Sequence, residues 1–94
     1  MKIVWDVDKA RANIENHGVS FEDARSVLTD PLALTREDFD AMGEQRFVTL
    51  GLSNRNHILV VVYTYHDSTI RLISAWRANA TQRKRYESQF RPHA

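Results

Sequence analysis

One segment limits what this chain can fold into more than any other. From Ile58 to Tyr65 it reads Ile-Leu-Val-Val-Val-Tyr-Thr-Tyr, without a charge and β-branched or aromatic at nearly every position. Such residues fit a pleated surface, and a run with no polar alternation fits a central strand buried on both faces. Its neighbours are visible on either side. Arg46 to Leu52 alternates, with Val48, Leu50 and Leu52 on one face and Phe47, Thr49 and Gly51 on the other, and Thr69 to Arg77 alternates again. Turn residues at Ser53–Asn56 and His66–Ser68 separate the three strands, which predicts an antiparallel meander.

Helices flank this meander. After a short strand over Lys2 to Trp5, the spacing of Val7, Ala10, Ile14 and His17 predicts one helical face, and Gly18 supplies a left-handed stop. Ser20 with Asp23 opens a second helix by the capping-box pattern, with Val19 placed to staple against Ala24 and with Phe21, Ala24 and Leu28 inward. It ends before Asp30-Pro31. Leu32 to Thr35 suggests a further strand, and the acidic stretch Glu37 to Glu44 reads as a loop. Asn79 and Gln82 open a last helix, on which Arg83, Tyr86 and Phe90 share a stripe and Arg83, Lys84, Arg85 and Arg91 concentrate positive charge. The expectation is one small α+β domain over residues 1–94: a mainly antiparallel sheet with two N-terminal helices and a C-terminal helix. A chain of 94 residues has room for one core, burying roughly 60 to 65 per cent of its unfolded surface.

Several functional classes lack support. There is no Cys, hence no disulfide, thiolate nucleophile or Cys-based zinc site. His17, His57, His66 and His93 lack metal-ligand spacing, and no phosphate-binding loop, dinucleotide fingerprint, zinc-protease pair or lipase elbow is present, so neither metal nor cofactor is expected. The absence of a long apolar run and of a signal-peptide core leads us to expect a cytoplasmic protein with no membrane partner.

Charge is distributed unevenly. Residues 1–44 carry five basic and ten acidic side chains, whereas residues 45–94 carry eight basic and two acidic ones, and ten of the thirteen basic residues are Arg. Guanidinium groups bind phosphates bidentately and stack on bases, so the second half points to nucleic acid. A period of two over Thr69–Arg77 places Arg71, Ile73, Ala75 and Arg77 on one face and Ile70, Leu72, Ser74 and Trp76 on the other. Two guanidiniums on one sheet face, continued by the basic last helix, would hold an RNA backbone and stabilise a phosphate as charge builds on it. The same pattern also fits Arg side chains lying over an exposed face. RNA transesterification further needs proton-transfer groups, for which His17, Glu22 and His66 qualify by residue type. Trp5, Trp76, Tyr63 and Tyr65 are either stacking platforms for bases or aromatics buried in the sheet.

The residues also resemble a known family. Trp5-Asp6 with Lys9 and Asn13, the run His17-Gly18-Val19-Ser20-Phe21-Glu22 with Ala24, and Asp30-Pro31 are similar to the N-terminal signature of the BrnT toxins of bacterial type II toxin-antitoxin systems. Glu44, Arg46-Phe47, Thr49-Leu50-Gly51, Leu59 to Val62 with Thr64, Ile70 to Ala75, and Arg77-Ala78 continue the pattern in order, over almost the whole chain. The resemblance implies a RelE-like ribonuclease that cleaves RNA without a metal and slows translation. It also implies a BrnA antitoxin as partner, with operator DNA bound only through the toxin-antitoxin complex. On this basis Arg46, Arg71 and Arg77 are expected at the scissile phosphate, His17 and Glu22 as proton carriers, and Lys9, Ser74, Arg83, Lys84 and Arg85 along the RNA. Tyr63 stands where many relatives have His, Trp76 where Arg is common, and His66 where a basic turn residue is common. Those departures keep open a second expectation, a non-catalytic basic module that holds an antitoxin-like partner and takes part in operon repression. In either case the charge asymmetry predicts an acidic toxin-binding segment on the antitoxin, covering at least one of Arg46, Arg71 or Arg77.

Overall fold

A computed structural model describes residues 1–90, so the expected helical position of Arg91 lies outside the described residues. The uncharged run forms the centre of the molecule. Strand β4 (Ile58–His66) pairs antiparallel with β3 (Arg46–Leu52) on one side and β5 (Thr69–Arg77) on the other, as the meander predicts. β1 (Lys2–Val4) and β2 (Leu34–Asp38) close the two edges, giving the order β1-β5-β4-β3-β2, in which only β1 runs parallel to its neighbour. Helices α1 (Val7–His17) and α2 (Phe21–Val27) occupy one face, and α3 (Ala80–Glu87), followed by a 3-10 turn at Ser88–Phe90, occupies the other.

Alternation along β4 divides its side chains between two cores. Leu59, Val61 and Tyr63 meet Phe21, Ala24 and Val27 of α2, together with Ile70, Leu72 and Ala75. Val60 turns the other way, to Leu50, Trp76 and the buried Tyr86 of α3. On α2 the third inward residue is Val27 rather than Leu28, because the helix stops at Val27 and Leu28 is its C-cap, only partly covered.

Three further expectations need correction. The strand before the acidic stretch starts two residues and ends three residues later than expected, since Glu37 and Asp38 pair with Phe47 and Arg46. An Asp opposite an Arg is a favourable cross-strand pair, which explains how acidic residues enter a strand. The stripe proposed for α1 is likewise displaced: Val7 and Ile14 are 66% and 52% exposed, His17 is exposed, and the buried residue is Asn13. β1 reaches only as far as Arg71, leaving the outer edge of β5 without a strand neighbour beyond that point. Asn13 supplies the missing bonds. Its amide Nδ2 donates to the carbonyls of Ala75 and Val19, both at 2.9 Å, and its Oδ1 accepts from the Ala75 N–H at 3.1 Å. Paired buried backbone groups are a near-requirement of folded proteins, and here it selects a polar residue for the inner side of a helix.

The third correction bears on function. Between Val62–Ser74 and Tyr63–Leu72 the register shifts by one, so Ile73 is the extra residue of a β-bulge. A one-residue insertion reverses which face the following side chains occupy. Ile70 and Leu72 before it, and Ala75 and Arg77 after it, all face the helices α1 and α2, whereas Arg71 and Trp76 face the α3 side. Arg71 and Arg77 therefore do not share a face, and six residues of strand put them roughly 20 Å apart.

Asp30, two residues beyond the C-cap of α2, ties the two faces together. Its carboxylate accepts from the N–H groups of Leu32 at 2.9 Å and Leu52 at 2.8 Å, and from the Tyr86 hydroxyl at 2.5 Å. Burial acts to raise the Asp30 pKa, but the bonds from Leu52, Tyr86 and Leu32 together outweigh it and hold the carboxyl below its ordinary value. Burial and the adjacent carboxylate push the Tyr86 phenol up to about 12.

Candidate active site

The two helices, the β3–β4 turn and the end of β5 meet at one place, and each side chain there has a local reason for its position. Ser20 is the N-cap of α2, its Oγ accepting from the Asp23 N–H at 3.1 Å. Asp23 does not complete a capping box. Its side chain is 5% exposed and its Oδ2 lies 3.0 Å from His57 Nδ1. His57 is fixed by the turn that precedes β4: Ser53 N–H donates to the His57 carbonyl at 2.8 Å, Ser53 Oγ accepts from the His57 N–H at 3.2 Å, and Asn56 takes φ 63. Asn tolerates this left-handed conformation better than most residues. The turn is also anchored to α2, where Ser26 Oγ accepts from the Asn54 N–H at 2.9 Å.

Beyond His57 stands Arg77, whose Nη2 lies 3.0 Å from His57 Nε2. The partners settle the tautomer. An ionised Asp23 only accepts and Arg77 only donates, so Nδ1 carries the proton and Nε2 presents its lone pair to the guanidinium. The chain Asp23–His57–Arg77 thus joins a buried acceptor, an oriented imidazole and a surface cation. Asp23 Oδ1 is buried without a hydrogen-bond partner among the described residues. Two cavities flank the chain. One of about 330 Å³ is lined by Ile14, Gly18, Ser20 and Arg55 besides the three residues. The other, about 310 Å³, is bounded by Arg77, His57, Asn56, Arg83 and Glu87. Arg55 and Arg83 thus each line one of the two cavities that His57 and Arg77 share.

The expected residues divide over the surface. Arg77 and Arg83 belong to this cluster. His17 is one residue from the Gly18 wall, with its ring 6.0 Å from that of Trp76. Glu22 is exposed and makes no side-chain bond among the described residues. Lys9 is exposed on α1, and the Ser74 hydroxyl, 3.3 Å from Asn13 Oδ1, is engaged in seating that helix. Lys84 and Arg85 are exposed on α3.

Arg71 and Arg46 form a separate group. Arg71 Nη2 donates to both carboxylate oxygens of Glu44, at 3.2 and 3.1 Å. Arg71 lies opposite Thr64, and the pairing of Phe47 with Tyr63 brings Arg46 to the level of Thr64 on the next strand. Of the aromatics read as either base-stacking platforms or buried sheet residues, Tyr63 is buried against Phe47, its hydroxyl 2.7 Å from Thr49 Oγ1, and Trp5 meets Phe21 edge-on. No group of three His, Cys, Asp or Glu side chains is arranged to hold a metal among the described residues. Nor is any described helix long and apolar enough to cross a membrane.

Sequence reasoning missed His57, Asp23 and Arg55. By spacing alone Asp23 reads as a capping residue, and His57 is weighed only against metal-ligand patterns. The available signal was the hairpin about His66–Ser68, whose register carries the start of β4 to the end of β5 and hence His57 to Arg77.

Residues 5–82 match a family model described as "Ribonuclease toxin, BrnT, of type II toxin-antitoxin system". The fold is similar to the crystal structure of the Brucella abortus ribonuclease toxin BrnT, with a TM-score of 0.63 and 27% identity, covering 84% of this chain and 97% of that one. No curated protein sequence matches the chain.

Proposed function

The chain belongs to the BrnT family of ribonuclease toxins of type II toxin-antitoxin systems, and from that premise we propose that it cleaves RNA at the Asp23–His57–Arg77 cluster with no metal ion taking part. The observation that carries this reading is the oriented imidazole: a buried carboxylate holds Nδ1 while Nε2 faces a cation that prefers phosphate. An RNA phosphate entering between Arg55, Arg77 and Arg83 draws the Arg77 guanidinium to itself in a charge-assisted, bidentate contact. His57 Nε2, released, takes the proton of the neighbouring 2′-hydroxyl. The O2′–P bond forms as the P–O5′ bond breaks, leaving a 2′,3′-cyclic phosphate and a 5′-hydroxyl. Asp23 steadies the imidazolium, and the guanidiniums stabilise charge on the phosphorane. Water supplies the proton to the leaving 5′-oxygen, since the His17 ring lies 6.0 Å from that of Trp76 and His17 lines neither cavity.

Arg46, Arg71, Lys9, Lys84 and Arg85 are assigned to the RNA path away from the scissile bond; Glu22 and Ser74 receive no chemical role. The helices on one sheet face and the C-terminal helix on the other support a fold of the RelE-like kind. A BrnA-type antitoxin is proposed as the partner, its acidic segment covering Arg77 and the α3 cations, with operator DNA bound through that complex.

The test is incubation of the purified protein with RNA in excess EDTA. We expect fragments ending in 2′,3′-cyclic phosphate and 5′-hydroxyl, and no cleavage of RNA methylated at every 2′-oxygen. Intact RNA in EDTA, or 5′-phosphate ends, would refute the proposal.

A further inference from the structure

The loop between β2 and β3 holds a carboxylate where an RNA phosphate would be expected. A pocket of about 450 Å³ on the α3 side of the sheet is lined by Thr64, His66, Thr69, Arg71 and Glu44 among others. Its hydroxyls, imidazole and guanidinium are phosphate-binding groups, yet Arg71 is already occupied by both Glu44 oxygens. Both side chains are about half exposed. On the adjacent strand, Arg46 has a buried Nε with no hydrogen-bond partner among the described residues, at the level of Thr64. The loop carrying Glu44 turns at Gly43, with φ 91, and no other ion pair among the described residues holds it.

We infer that this pocket is a second RNA-backbone subsite, remote from the bond that is cleaved, and that Glu44 is its internal occupant, which a phosphate of the bound strand displaces from Arg71. The inference rests on the RNA-binding reading above but not on which residues perform the cleavage. A carboxylate and a phosphate present similar oxygen pairs to a guanidinium, so the exchange keeps Arg71 paired throughout. Glu44 weakens RNA binding and, by competing for Arg71, disfavours anions that reach only one of the two sites.

The experiment measures binding of a fluorescent, single-stranded 2′-O-methyl RNA, which resists cleavage, across a salt series. Glu44→Gln is expected to tighten binding about two- to fivefold, the range set by releasing an exposed ion pair. Its log–log salt slope should stay within roughly 0.7 of the parental one, since the same phosphate contacts Arg71 in both proteins. Asp40→Asn removes the same charge from the same loop without touching Arg71 and should give a smaller gain. Adding Arg71→Ala to Glu44→Gln should abolish the advantage. The inference alone is overturned if Glu44→Gln binds no tighter than Asp40→Asn, or if its gain survives loss of Arg71. Absence of binding by every variant overturns the RNA reading itself.

Discussion

Replacing Asn13 by Ala tests how the first helix is seated beside the candidate site. Asn13 is 5% exposed and is the hydrogen-bond partner of the Ala75 N–H, the Ala75 carbonyl and the Val19 carbonyl. Alanine leaves all three without that partner, and each buried, unsatisfied group costs about 1 to 3 kcal/mol. Water entering the vacated space offsets part of this, so we expect a loss of about 3 to 5 kcal/mol. Against the 5 to 15 kcal/mol typical of folded proteins, that is a large share. With a urea m-value of about 1 to 1.5 kcal/mol/M for a chain this short, the midpoint should fall by roughly 2 to 5 M. Asn13→Asp separates hydrogen bonding from volume. It keeps the acceptor for Ala75 N–H but turns a negative oxygen on two carbonyls, so at neutral pH it should cost at least as much as Ala despite its nearly unchanged size. If both variants unfold within about 1 kcal/mol of the parent, the amide does not hold α1 on the edge of β5.

Two further outcomes follow from the Asp30 junction. The Tyr86 phenol ionises at about 12 when folded, against an ordinary value near 10. Stability should therefore fall as pH rises from 10 to about 12, by up to about 3 kcal/mol, and Tyr86→Phe should flatten that limb of a urea-unfolding series. For Asp30, held below its ordinary 3.8, the contribution is intact above that value and is lost as pH falls beneath it. Gly51→Ala should destabilise by about 1 to 3 kcal/mol, visible as a lower thermal midpoint, because an added Cβ would stand 3.0 Å from Val27 Cγ1, 3.1 Å from Ala33 Cβ and 3.1 Å from Asp30 Oδ2.

What the sequence made legible is what depends on periodicity and turn chemistry. The uncharged run of β4, its alternating neighbours, Gly18 at φ 68 ending α1 and the Asn79–Gln82 capping box of α3 all appear where patterning puts them. Features decided by a single tertiary contact were not legible. Ile73 looks like any other strand residue, yet as the bulge it sends Arg71 and Arg77 to opposite faces. Ile14 suits a buried helix position better than Asn13 does, until the free edge of β5 demands hydrogen bonds. Glu37 and Asp38 read as loop because their strand partners, Phe47 and Arg46, lie across a turn of unknown register. At the candidate site, the family resemblance singled out Arg77 and not His57. Spacing arguments test a histidine against metal-ligand patterns, whereas this one is identified by the Asp23 beneath it and the Arg77 beside it.

The central claim is that RNA is cleaved at the Asp23–His57–Arg77 cluster and not around Arg71. Single-turnover cleavage of one RNA in EDTA, compared across His57→Ala, Arg77→Ala and Arg71→Ala proteins whose folding is verified by thermal unfolding, tests it most directly. Removal of a group acting at the reacting phosphate typically costs about a hundredfold or more in rate. His57→Ala and Arg77→Ala should each show that loss at saturating protein, while Arg71→Ala should change the RNA affinity and leave the saturated rate within about threefold. A His57→Ala protein that cleaves at the parental rate, or an Arg71→Ala protein as slow as Arg77→Ala, would contradict the account.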